Sequence, residues 1–99
     1  MSVGGGLSEV LEADGKIQLI CDMVRTEVEA RLRKKYDMFK AEIYKMQVVA
    51  GTKYLIKVHV GGDDHLHLSV THKLPCDGGN CLLTDIHQDK SHHDPIEFF

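Results

Sequence analysis

The chain has 99 residues, 42% of them hydrophobic and 27% charged, and a formal net charge of −3 with its seven histidines neutral. That is the material of one domain with one core, spanning residues 1–99. An acidic balance without a basic block argues against a nucleic-acid partner, and no apolar run approaches the roughly 18 residues of a membrane-spanning helix.

Residues 1–13 contain the run Gly4-Gly5-Gly6 and no periodic apolar pattern. Glycine at this density gains little from packing, so the segment is expected to form a partly flexible N-terminal trunk. No apolar stretch follows a basic start, which argues against a secretory leader. A cytoplasmic location follows as the expectation, with Cys21, Cys76 and Cys81 as free thiols.

Asp14 is a candidate N-cap. After it, Ile17, Ile20, Cys21, Val24, Val28, Leu32 and Tyr36 recur at three- and four-residue steps. This is one face of an amphipathic helix of about five turns. Arg25, Glu29, Arg33 and Lys34 lie off that face, and Lys34 and Lys35 suit the negative end of the helix dipole. Cys21 falls on the apolar stripe, where a cysteine behaves as a small buried hydrophobe.

The period then changes. Residues 40–46 and 52–60 have extended character; in the second stretch Tyr54, Ile56 and Val58 alternate with Leu55, Lys57 and His59. Between them, Gln47-Val48-Val49-Ala50-Gly51 forms a predicted hairpin tip. Its β-branched residues favour extended backbone, and Ala-Gly permits a tight reversal. Gly61-Gly62-Asp63-Asp64 is a predicted turn, and Leu66, Leu68 and Val70 mark the next strand. Leu74-Pro75 ends it, because proline has no N–H to donate. Residues 76–81 form a loop, residues 82–87 a last strand, and the chain closes on Phe98-Phe99. One long helix followed by strands in meander order is an α+β arrangement, an antiparallel sheet with one face packed on the helix.

Few residues in this frame carry chemistry. If apolar residues of neighbouring strands share a face, Val58 opposes Leu66 and Ile56 opposes Leu68. His59 then faces His65, with His67 two positions along, all on the solvent side. Three imidazoles are ligands of the type that zinc or copper takes, but neither a fourth ligand nor a supporting partner is visible. Solvated strand polarity is the better account, for these and for His92-His93, and no metal or other cofactor is expected. Cys76 and Cys81 flank a Gly-Gly turn at C-x4-C spacing. A second pair is missing, so structural zinc is not expected, and a bridge between them would need a Cα separation that the sequence does not fix. There is no Walker A, GxGxxG, HExxH or GxSxG pattern, and catalysis is not expected.

The hairpin tip stands out instead. Turn tips are usually polar because they run through water. An uncharged, apolar tip is the mark of a surface that becomes buried in a partner.

Gln47-Val48-Val49-Ala50-Gly51 resembles the QxVxG motif of the cystatins. Extended to Thr52, with Tyr54 and Ile56-Lys57-Val58 behind it, the segment is similar to the stefins, the type 1 cystatins. Gly5-Gly6-Leu7-Ser8-Glu9 resembles the stefin trunk, and Leu74-Pro75 falls where stefins carry their second hairpin loop. The resemblance covers essentially the whole chain. It implies a five-stranded antiparallel sheet wrapped around one long helix. It also implies reversible, tight inhibition of papain-like cysteine proteases, lysosomal cathepsins included, by a wedge that enters the active-site cleft. Carried over, the wedge is the trunk at Gly4 and Gly5, the first loop Gln47, Val48, Val49, Ala50 and Gly51, and the second loop Leu74, Pro75 and Cys76. An extra glycine leaves Gly4 and Gly5 as competing equivalents, with Gly5 preferred. The family also exchanges strands between copies by opening the first hairpin, so a monomer is expected as the active form beside a domain-swapped dimer. Stefins generally lack disulfides, so the resemblance does not pair Cys76 with Cys81. Outside this reading stands an interaction or metal-binding module of the same fold without inhibition.

Overall fold

The structure is a computed structural model, described here over residues 7–97 and residue 99. Its elements in chain order are β1 (Leu11–Glu12), α1 (Gly15–Leu32), β2 (Lys40–Val49), β3 (Gly51–Gly61), β4 (Asp64–His72), a 3-10 turn (Pro75–Asp77) and β5 (Cys81–Lys90). The five strands form one antiparallel sheet in the order β1-β2-β3-β4-β5. The α+β meander expected from the sequence is the fold observed.

Asp14 caps α1 as its position predicts. Its backbone is extended, and its Oδ1 accepts the N–H of Ile17 at 3.1 Å. Ile17, Ile20, Cys21, Val24 and Val28 are buried. They meet Ala41 of β2, Tyr54, Ile56, Val58 and Val60 of β3, Leu66, Leu68 and Val70 of β4, and Leu83 of β5 in one core. The helix stops earlier than its periodicity suggests. Arg33 turns left-handed at φ 55°, and both it and Lys34 donate backbone N–H groups to the Glu29 carbonyl. The basic residue of the last turn is therefore Arg31, not Lys34 or Lys35. Tyr36 lies beyond the helix. Its N–H donates to the Glu29 carboxylate at 2.9 Å, and its carbonyl accepts from the Arg25 guanidinium.

Two further features lie outside the expected pattern. The first is an edge strand at Leu11–Glu12, where no strand is expected. Residues 1–6 lie outside those described, but from Ser8 onward the segment is fastened to the edge of β2. Ser8 N–H donates to the Met46 carbonyl at 2.8 Å, and its Oγ accepts from Met46 N–H at 3.0 Å. Leu11 and Glu12 pair with Tyr44 and Ile43, and Ala13 N–H donates to the Glu42 carbonyl at 3.0 Å. Backbone groups make these bonds, so side-chain periodicity carries no trace of them.

The second concerns the outer face of the sheet. The register is the expected one: Val58 with Leu66, Ile56 with Leu68, His59 with His65. The outer face is nevertheless not solvated at its centre. His65 is 3% and His67 2% exposed, and Leu55, Lys57, Ser69 and Ile96 are buried beside them. The segment after β5 folds back across that face. Ile96 supplies its apolar plug, and the buried Lys57 ammonium donates to the carbonyls of His92 at 2.8 Å and Asp94 at 2.5 Å. Lys53 Nζ reaches the carbonyl oxygen of Phe99 at 2.6 Å. Strand alternation alone places a residue on a face. It does not say whether a later segment covers that face.

His67 shows the cost of this second layer. Its Nε2 is buried without a hydrogen-bond partner among the described residues. Burial, helped by the charges of Lys57 and Lys90, pushes its pKa down to about 4. The unfolded chain takes up this proton near pH 6.5, its ordinary value. The neutral ring's contribution to stability is therefore complete above about pH 6.5. It is lost as pH falls from about 6.5 towards about 4, by up to about 3 kcal/mol. In metal-free buffer, denaturant titrations near pH 7 and near pH 4.5 should show a smaller pH-dependent loss for His67→Gln than for the parent. Equal losses would contradict this assignment.

Candidate functional site

The β2–β3 hairpin closes tightly. Val48 pairs with Thr52 and Val49 with Gly51, which leaves Ala50 alone at the apex. Val48 is 64% and Val49 45% exposed, and no charged residue lies between Gln47 and Thr52. Two β-branched side chains thus stand bare in water at the end of the sheet, at a cost that burial against a partner would recover.

Gly51 holds this tip against its neighbour. Its φ is +111°, a region that side-chain-bearing residues rarely adopt. A Cβ built on it would lie 2.3 Å from the His72 carbonyl oxygen and 3.2 Å from Lys73 Cα. The apex of the first hairpin is therefore packed directly on the end of β4, where the second loop begins.

That loop has its own frame. Lys73 N–H donates to the Asn80 carbonyl at 2.9 Å, and Gly79 N–H to the Leu74 carbonyl at 2.9 Å. Gly78, at φ 110°, ends the 3-10 turn, and its N–H donates to the Pro75 carbonyl. His72 Nε2 donates to the Gly79 carbonyl at 3.1 Å. Leu74, 43% exposed, projects from this frame with Pro75 and Cys76 beside it, also exposed. Cys76 and Cys81 are not bridged. Burial raises the pKa of Cys81 above its ordinary value.

The structure thus brings seven of the ten sequence-predicted positions to one edge with a shared apolar character: Val48, Val49, Ala50, Gly51, Leu74, Pro75 and Cys76. Gln47 lies just behind, half-buried and paired with Lys53. Gly4 and Gly5 lie outside the described residues. The described chain reaches Ser8 beside Met46, three residues from Val49, at the same end of the sheet. The sequence does not single out His72 and Gly79, and it places Ser8 only in the trunk; all three position the edge without belonging to its surface. Each of their bonds has a backbone group on at least one side, and no spacing rule announces them.

His59, His65 and His67 do not meet as a ligand set. His59 Nε2 donates to the Gly62 carbonyl at 2.6 Å, and His67 is enclosed in the outer layer. Among the described residues, Glu42, His65 and His92 are the metal-ligating side chains that converge.

The contact at Gly51 is open to test. Gly51→Ala adds a Cβ that must displace the His72 carbonyl while holding a strained φ. It should lower stability by about 1–3 kcal/mol and shift the amide resonances of residues 72–75. An unchanged denaturation midpoint with unmoved resonances would show that the two loops are not locked together.

Comparison with known proteins agrees with this geometry. A family model described as "Cystatin domain" matches residues 5–92. The chain is 52% identical to Cystatin-B of Paralichthys olivaceus over 95 residues, covering 96% of this chain and 97% of that protein. It is 41% identical to Cystatin-B of Homo sapiens, over 96% of this chain and 97% of that one. It is 40% identical to Stefin-C of Bos taurus, over 96% of this chain and 94% of that one. With a matching domain model along nearly its whole length and relatives of this closeness, the chain belongs to the cystatin family, whose members are inhibitors of cysteine proteases and not enzymes.

Proposed function

We propose that the protein is a reversible, tight-binding inhibitor of papain-like cysteine proteases, lysosomal cathepsins among them, and that it acts by filling the active-site cleft. The observation that carries this reading is the edge itself. Val48, Val49 and Leu74 are exposed apolar side chains on two loops packed together through Gly51.

Burial of each such side chain contributes about 1.5–3 kcal/mol as an upper value. No charge at the tip has to be stripped of water on the way in. The loops are already fixed to the sheet, which limits the ordering cost of association. Gly4 and Gly5 are proposed to approach the enzyme backbone closely, where a Cβ would collide. Gln47, Val48, Val49, Ala50 and Gly51 form the first contact loop, and Leu74, Pro75 and Cys76 the second. No residue of the protein reacts; the cleft is occupied and substrate is shut out.

The active form is proposed to be the monomer. Straightening the reversal at Ala50-Gly51 would join β2 and β3 into one strand shared with a second copy, and the apex would disappear. Three unbridged cysteines accord with a reducing compartment, and a cytoplasmic location is proposed. Among the described residues, no helix is long and apolar enough to cross a membrane.

Titration of papain of known active-site concentration with purified monomer should remove activity at near one-to-one stoichiometry, with recovery on dilution. Val49→Asp forces a carboxylate into the contact and should weaken inhibition by roughly 100-fold or more while the domain stays folded. An unaltered inhibition constant would remove the first loop from the interface. No inhibition by folded monomer would leave a cystatin fold used for another interaction. Species separated by size exclusion should differ, the monomer inhibiting and a dimer not; an equally active dimer would contradict the role of the closed apex.

A further inference from the structure

The geometry points to a divalent-metal site for Zn2+ formed by Glu42, His65 and His92, at the end of the sheet opposite the hairpin edge. The donor atoms of these three residues lie within 4.8 Å of one another. His65 Nε2 is 3.0 Å and His92 Nδ1 3.8 Å from the same Glu42 oxygen, Oε1. Zinc bonds of about 2.0–2.2 Å put tetrahedral ligand atoms roughly 3.3 Å apart. The set is therefore nearly at coordination spacing, and the adjustment falls on His92, whose side chain is 67% exposed and free to turn.

His65 is prepared as a ligand. Its Nδ1 faces the Asp63 carbonyl at 2.9 Å. A carbonyl only accepts, so Nδ1 carries a proton toward Asp63, and Nε2 is the nitrogen turned to the Glu42 carboxylate. That nitrogen and the carboxylate oxygen lie 3.0 Å apart, so a metal ion would replace the proton they share in the metal-free protein. A backbone carbonyl holding the far nitrogen of a histidine is the support that metal-bound imidazoles have. The ring is also buried and stacked on His59 at 4.8 Å, which fixes its plane.

Glu42 and His92 are aimed by separate devices. The β2–β3 register slips between Ala41 and Ile43, so Glu42 is the extra residue of a β-bulge, which re-aims its side chain. His92 is placed by the buried Lys57 ammonium, which grips the carbonyls of His92 and Asp94. Lys57 thus anchors the backbone that brings the third ligand over the face. Two imidazoles and one carboxylate suit zinc, with the fourth position open to water or a small anion. The bound ion would tie β2, β4 and the C-terminal segment together. This site does not depend on protease inhibition. Glu42 is seven residues from Val49 along β2, about 23 Å at the rise of an extended strand.

The test is calorimetric titration of Zn2+ into chelator-treated protein, with imidazole 15N spectra of the same samples. One equivalent should bind. His65 Nε2 and His92 Nδ1 should shift while His65 Nδ1 keeps its proton, and the melting temperature should rise and return with EDTA. His92→Ala and Glu42→Gln should each weaken binding at least tenfold, whereas His93→Ala should not. Both variants keep the fold readily, the first because the side chain is exposed and the second because it is isosteric. The proposal is overturned if the parent protein binds no stoichiometric zinc. It is equally overturned if binding survives both substitutions, or is lost instead with His93→Ala.

Discussion

Everything in this protein is arranged about β3, a strand buried on both of its faces. Tyr54, Ile56 and Val58 point into the helix core, while Leu55 and Lys57 are enclosed on the other side. An antiparallel strand covered twice needs a second layer, and among the described residues the C-terminal segment provides it. The polar member of the buried run sets the terms. The Lys57 ammonium must find acceptors away from water, and burial pulls its pKa below the ordinary lysine value. The carbonyls of His92 and Asp94 meet that need. Ile96 then settles over the same face.

The ends of β3 are where this interior is turned to use. At one end Gly51 presses the first hairpin onto the end of β4, so two loops from different parts of the chain act as one apolar edge. Neither loop is long, and each is framed by backbone hydrogen bonds, so little order remains to be imposed on contact. At the other end, the turn after β3 brings His65 opposite His59, and a bulge in the neighbouring strand adds Glu42. The two ends make opposite demands. The first keeps charged groups away from an exposed apolar surface, proposed as the contact edge; the second gathers them.

Much of this was legible in the sequence, and the limits have physical causes. The helix stripe, the Asp14 cap, the order of strands and the β3–β4 register follow from periods of 3.6 and 2, which record burial on one side of an element. The helix end was misjudged at Tyr36 because an apolar residue past a left-handed Arg33 can still pack near the core. Strand β1 escaped because its contribution is made by backbone groups of Ser8, Leu11 and Ala13. The outer layer escaped because alternation places His65 and His67 on a face and is silent about Ile96 lying over it. Val48 and Val49 stand out in the sequence for a different reason, whereas Leu74 is reached only through the resemblance to the stefins. Apolar side chains in turns contradict the usual rule for loops, and such contradictions gather where a protein meets its partner.

The most direct test of the account is a residue-level footprint of the complex with papain, read from amide resonances or hydrogen exchange at one-to-one stoichiometry. Filling of the cleft by a preformed edge predicts that changes concentrate at Val48–Gly51 and at Leu74–Cys76. The helix and residues 40–43 should keep their free-state values, and the same map should appear with papain whose catalytic thiol is blocked by a small group. A footprint centred on the helix or the C-terminal segment, or one that vanishes when the thiol is blocked, would contradict it.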